Sequence, residues 1–194
     1  PGDPTQKTGG YIYNDRIVQY LRAMSIPAEF VILPGVWPIP SSEDITLCTQ
    51  ILGQIEPPAS LIIDGLALVA TLEVLPELCH RMSVTLLLHS PPHLERGISP
   101  EASQTLYRHT RVALNHIHRV LVTSEAAKRE IQEIFSVSNI DVVEPGCDIM
   151  PRSTPSQKGR LLLVGNIIPR KGVLCLIRAL AAIKSIPWSL RCVG

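Results

Sequence analysis

Short apolar runs alternate with longer amphipathic stretches along most of the chain. Five runs read as strands: Glu29–Leu33, Ser60–Ile63, Val84–Leu88, Arg119–Thr123 and Ile140–Val143. Between them the apolar positions follow a helical spacing. This predicts helices over Asp15–Ala23, Ser42–Ile55, Leu72–Arg81, Pro100–His116 and Glu125–Phe135. Runs such as Leu61–Asp64 and Thr85–His89 lack the alternation of a half-exposed strand, which predicts a parallel sheet covered on both faces. Strand–helix alternation in turn predicts βαβ units with right-handed crossovers, an α/β Rossmann-like domain. Several helix starts have a visible cause. Ser41 or Ser42 precedes Glu43 and Asp44, Ser124 precedes Glu125, and Ser99 precedes Pro100 and Glu101. Each supplies a capping hydroxyl with an acid near the positive end of the helix.

The pattern breaks between Pro145 and Gly159, a stretch with three prolines, two glycines and little apolar content. It reads as an interdomain connection. The predicted organisation is an N-terminal domain over residues 1–148, a linker over 149–159 and the start of a second Rossmann-like domain over 160–194. The second unit holds strand Arg160–Val164, loop Gly165–Arg170, helix Lys171–Lys184 and strand Trp188–Val193. A βαβ unit of about 35 residues cannot bury a core of its own. The expectation is therefore a longer natural protein, extended chiefly on the C-terminal side.

Composition narrows the function classes. Hydrophobic residues make up 45% and charged residues 18%, a globular balance. A net charge of +1 gives no global field for nucleic acid or anionic membrane. Aromatics at 4% are too few for a base-stacking platform. No nucleic-acid partner is expected, and an anionic ligand has to be held by local groups. The five cysteines are widely spaced with no C-x-x-C pair, the pattern of reduced thiols in a cytoplasmic protein. Asp64 and Glu73 interrupt the longest apolar stretch, Leu61–Leu75. It falls short of the ~20 apolar residues that a membrane helix needs. Peripheral contact at the inner face of a membrane stays open.

Four segments carry candidate chemistry. In Thr8-Gly9-Gly10-Tyr11, glycines ahead of a helix let backbone N–H groups approach an anion or a sugar; the bland reading is a tight turn. In Leu88-His89-Ser90-Pro91-Pro92, His89 follows a buried strand, where open parallel sheets bind ligands, and Glu95 lies in the same loop. A histidine there can donate to a sugar hydroxyl or to developing charge, or it is a loop residue with no role. From Val164 to Gly172, a strand ends at Gly165-Asn166, and Arg170 and Lys171 open a helix. Two cations beside free helix N–H groups suit a pyrophosphate, and two solvated cations are the plain alternative. The spacing matches neither a P-loop nor a dinucleotide fingerprint. Val143–Asp148 reads as a domain-exit turn. Asp64 ends a strand near the same edge, as a cleft residue or a helix initiator. His109, His116 and His118 have no cysteine or carboxylate cluster beside them, so no metal site is expected.

Taken in order, these segments resemble the family-4 glycosyltransferases, which have the two-domain GT-B fold. TGGYIYNDRI resembles the glycine loop and first helix of their N-terminal domain. IIDGLAL and LLLHSPPHLERGI resemble its cleft-facing strand ends, and RVLVTSEAAKREI its strand-Thr-Ser-helix segment. VVEPGCD resembles the exit turn. LLLVGNIIPRKGVLCLIRALAAI resembles the strand-loop-helix that opens the C-terminal domain.

The resemblance implies retaining transfer of a hexosyl-type sugar from a nucleotide-diphosphate donor, bound between the domains, to an unidentified acceptor. Lys171, with Arg170, would bind the donor diphosphate, Gly9 and Gly10 would line the same cleft, and His89 would contact the transferred sugar. Asp64, Glu95 and Asn166 are further cleft candidates; Asn166 stands where many members carry arginine. No cofactor and no metal are implied, because cations and helix N-termini hold the phosphates. The family's glutamate pair and base pocket have no counterpart in these residues, so the 194-residue chain by itself is expected to be inactive. The alternative is a non-catalytic binding module of the same fold. A Rossmann oxidoreductase is disfavoured because no glycine fingerprint with a downstream ribose-binding acid is present.

Overall fold

A computed structural model describes residues 8–95, 97–152, 158–165, 167–183 and 185–194, with the Arg170 side chain also outside the description. The chain forms two compact units, Pro1–Gly146 and Cys147–Gly194.

The first unit opens with α1 (Gly9–Ala23) and α2 (Ser42–Gly53). The sheet strands follow: β1 (Ser60–Asp64), β2 (Ser83–Leu88), β3 (Arg119–Val122) and β4 (Ile140–Val142). The connecting helices are α3 (Leu68–Thr71), α4 (Leu75–Arg81), α5 (Pro100–Leu114) and α6 (Glu125–Phe135). All strand pairings are parallel and the sheet order follows chain order, β1-β2-β3-β4. The α/β, Rossmann-like class read from the sequence is therefore the observed one.

Register explains where the core lies. Ile63, Leu86, Val120 and Ile140 are partners across the four strands, and all are buried. Leu88 and Val122 form a second buried pair one step further along. The neighbouring row on the other face differs: Ile62 is 48% exposed, and it pairs with Thr85, which pairs with exposed Arg119. Arg119 there pairs with Asp141 at 2.9 Å. The expectation of equal cover on both faces is thus corrected. When strand order equals chain order, right-handed crossovers all return over one face. Cover for the other face is left to chain outside those crossovers.

A second correction concerns Glu29–Leu33, which pairs with no strand among the described residues. Phe30, Val31 and Ile32 are exposed, and only Leu33 joins the core. Apolar composition makes a strand only where backbone groups find a ladder. A third is the predicted helix Leu72–Arg81, which begins only at Leu75. Pro76 sits in the first turn of α4, where its missing N–H costs nothing. Upstream, the Thr71 hydroxyl donates to Leu68 O at 2.9 Å inside the core. Caps explain other boundaries. Ser41 and Asp44 exchange side-chain and backbone bonds at the start of α2, while Ser99 and Ser124 accept from Ala102 N and Ala127 N.

The second unit pairs β5 (Arg160–Val164) with β6 (Ser189–Val193) in parallel, joined through α7 (Val173–Ala182). The helix starts two residues later than the expected Lys171, because Gly172 adopts φ +67° and Pro169–Lys171 form a short 3₁₀ turn. Trp188 stays outside β6 and donates its indole N–H to Ile183 O at 3.1 Å. Among the described residues, no helix is long and apolar enough to cross a membrane.

Candidate functional site

Parallel strands end together, so residues just past β1 and β2 gather at one edge of the sheet. Asp64 is the last residue of β1, and His89 follows β2 directly. Asp64 Oδ2 and His89 Nε2 stand 3.6 Å apart. That is beyond hydrogen-bond reach but close for a charge in a partly buried site.

Asp64 has two roles at once. Its Oδ1 accepts from Leu66 N at 2.9 Å and caps the 3₁₀ turn Gly65–Ala67, the helix-initiating role open in the sequence. Its Oδ2 accepts from Asn14 Nδ2 at 2.7 Å. Burial works against ionisation of this carboxyl. His89, the Leu66 N–H and the Asn14 amide together still hold it below the ordinary carboxylate range.

His89 is held from several sides. Tyr13 packs edge-on to its ring, with centroids 5.3 Å apart and planes at 89°. A methyl built on Gly10 would lie 3.6 Å from His89 Nε2, so the ring rests directly over the start of α1. Thr123 Oγ1 donates to the His89 carbonyl at 3.4 Å. Nε2 is buried without a hydrogen-bond partner, although 27% of the side chain is exposed. The exposed part of the ring is therefore away from Nε2. Thr8 caps α1 by accepting from Tyr11 N at 3.4 Å, so Gly9 and Gly10 are helical residues and not a turn preceding the helix. Gly9 is exposed and has nothing within 4 Å of a built Cβ.

Of the predicted residues in this unit, His89, Asp64 and Gly10 come together. Glu95 follows the 3₁₀ turn Pro92–Leu94, its N–H donating to Pro92 O at 3.3 Å. The sequence reading missed Asn14, Tyr13 and Thr123. A signal existed for two of them: Tyr13 and Asn14 lie three and four positions after Gly10, on the same helix face.

In the second unit, Gly165 directly follows β5 with φ +146°, a conformation that favours glycine. The Lys171 stem lies against it, Cε 3.6 Å from where a Cβ would stand, and Lys171 is exposed. Lys171 N donates to Ile168 O at 3.0 Å, which places the residue one step before the N-cap of α7. Arg170 belongs to the same 3₁₀ turn. Asn166 lies outside the described residues. Among the described residues, no cluster of three or more His, Cys, Asp or Glu is placed to hold a metal ion.

No protein-family model matches this sequence, and no curated protein sequence does. Solved structures do. A crystal structure of TarM matches with TM-score 0.54 and 18% identity, over 78% of this chain and 31% of that one. A mutant TarM from S. aureus, in complex with fondaparinux, alpha-GlcNAc-glycerol and UDP, matches with TM-score 0.50 and 15% identity, over 78% and 32%. The chain thus spans about a third of the length of these structures. At such identities the likeness is one of fold.

Proposed function

We propose that the chain is part of a retaining glycosyltransferase that moves a sugar from a nucleotide-diphosphate donor to an acceptor, in the cytoplasm or at the inner face of a membrane. The observation that carries the reading is the group around His89. A part-exposed imidazole, backed by a carboxylate, stands just past the C-terminal end of a parallel strand, where such sheets bind ligands. The fold likeness to TarM, a glycosyltransferase with a structure that holds UDP, supports it.

In this reading His89 meets the transferred sugar. Lys171 and Arg170 meet the diphosphate near the N-terminus of α7, where free N–H groups and the helix dipole favour anions. Fixed cations lower the cost of charge on the departing diphosphate, so the reaction needs no bound metal. Gly9 leaves the start of α1 open, so a ligand can approach the backbone there, and Gly10 leaves room for the His89 ring beside it.

The test uses full-length protein and a panel of nucleotide sugars, with lipid, polysaccharide and small-molecule acceptors. At least one donor should raise the melting temperature and be turned over, with turnover surviving EDTA. If no donor binds, the reading fails. Donor binding without turnover on any acceptor would instead favour the non-catalytic binding module.

A further inference from the structure

We propose that Asp64 is a positioning residue for His89: held by Asn14 and the Leu66 N–H, it fixes the ring with Nε2–H turned inward, leaving Nδ1 as an unprotonated acceptor for the ligand. The inference rests on the reading of His89 as the residue that meets the sugar.

A neutral imidazole carries one ring proton, and the nitrogen without it accepts. An ionised carboxylate only accepts. Nε2 is buried, has no hydrogen-bond partner, and faces Asp64 Oδ2 at 3.6 Å. An N–H there points its positive end at the carboxylate. A bare lone pair there would face a second acceptor. Low local dielectric enlarges that difference. The carboxylate cannot turn away, because its two oxygens are engaged at 2.9 Å and 2.7 Å by Leu66 N and Asn14 Nδ2. Asn14 follows the same logic. It turns its amide N–H to the carboxylate although its own Oδ1 is left buried and unpaired. Tyr13 and Gly10 then hold the ring in place.

The consequence is chemical. With its proton inward, His89 offers the ligand Nδ1 as an acceptor. It would take a hydrogen bond from a sugar hydroxyl instead of giving one. No covalent step is involved, and the tautomer sets which end of a hydroxyl the site recognises.

The experiment is a long-range proton–nitrogen NMR correlation on full-length protein labelled with ¹⁵N-histidine, near neutral pH. The His89 signal is assigned by its loss in His89→Gln. The expected wild-type spectrum shows Nε2–H and an unprotonated Nδ1. In Asp64→Asn the Leu66 N–H keeps the side-chain oxygen, so the new NH₂ faces His89. The ring proton should then move to Nδ1. A wild-type Nδ1–H tautomer, a doubly protonated ring, or a tautomer unmoved in folded Asp64→Asn would overturn the proposal.

A donor-bound crystal structure tests the same point without a variant. Nδ1 should lie within hydrogen-bond distance of a sugar hydroxyl; Nε2 on the sugar would overturn the assignment. In kinetics, Asp64→Asn should lower kcat by about ten- to a hundredfold, the scale for groups that orient another, with UDP affinity unchanged. Equal loss of UDP affinity would indicate a merely structural role. If the wild type binds no nucleotide, the glycosyltransferase reading falls while the tautomer result still stands or fails by itself.

Discussion

The Tyr13 hydroxyl donates to the Val143 carbonyl at 2.8 Å, joining the first helix to the residue that follows the last strand of its sheet, 130 positions away. Burial raises the Tyr13 phenol above its ordinary value, so the hydroxyl stays a donor well into alkaline solution. Tyr13→Phe keeps the ring edge on His89 and removes only this bond. The expected loss is about 0.5–1.5 kcal/mol, the net worth of one intramolecular hydrogen bond. A denaturation midpoint that falls with unchanged slope would agree; an unmoved midpoint would show that the bond contributes nothing.

Gly65 is required for a different reason. A methyl on it would sit 2.6 Å from Leu88 Cδ2 and 3.3 Å from the Leu87 carbonyl. Leu88 is fully buried, so its side chain has little room to yield. Gly65→Ala should cost about 1–3 kcal/mol, the range for overpacking a tight core. It should also move Asp64, the preceding residue, and so weaken donor turnover beyond the loss in stability. A variant as stable as wild type would mean that the β1–β2 packing relaxes freely.

These two glycine and tyrosine contacts show what the sequence did and did not disclose. The βαβ rhythm was legible because each strand-to-helix switch changes the hydrophobic period, and serine caps mark the joints. Glu29–Leu33 misled for a physical reason. Apolar composition is shared by strands and by loops that drop one side chain into the core, as Leu33 does. At the site, His89 was legible because it follows a buried run. Asn14 was not, because one polar residue on an amphipathic helix looks the same whether it meets solvent or Asp64. Only the docking of α1 against the strand ends brings those two together, and that is a long-range property.

Acid should destabilise the first unit in two separate steps. Burial lowers both His93 and His109 below the ordinary value of 6.5, with Glu130 opposing the shift at His93 and Arg108 adding to it at His109. Their Nδ1 atoms are buried without partners. The folded state therefore disfavours protonation, and the unfolded chain binds more protons just below pH 6.5. Stability is full above that value and falls as pH drops through it towards the lowered folded values. Asp64 acts lower down. Its folded value lies below the ordinary 3.8, so its contribution is present above 3.8 and is lost only as pH falls through the depressed value. Urea melts at about pH 7.5 and about pH 5.5 should show lower stability at the acid end. His109→Gln should make that difference smaller. An equal difference in the variant would assign the acid step to other groups.

Lys171 offers the cleanest separation of charge from packing. Its stem covers Gly165, with Cε, Cδ and Cγ between 3.6 and 3.9 Å from the position of a Cβ, while the side chain remains exposed. Lys171→Met keeps an apolar stem over the glycine and deletes only the ammonium. If the ammonium meets a donor phosphate, it makes a charge-assisted hydrogen bond worth about 1.5–3 kcal/mol. UDP affinity measured by calorimetry should then fall by about ten- to a hundredfold, while the melting temperature of the free protein stays put. Raising salt should weaken wild-type UDP binding more than that of Lys171→Met, because screening acts on the charge that the variant lacks. Equal affinity in the two proteins would remove Lys171 from the donor site. A fall in melting temperature with equal affinity would assign it to packing against Gly165 alone.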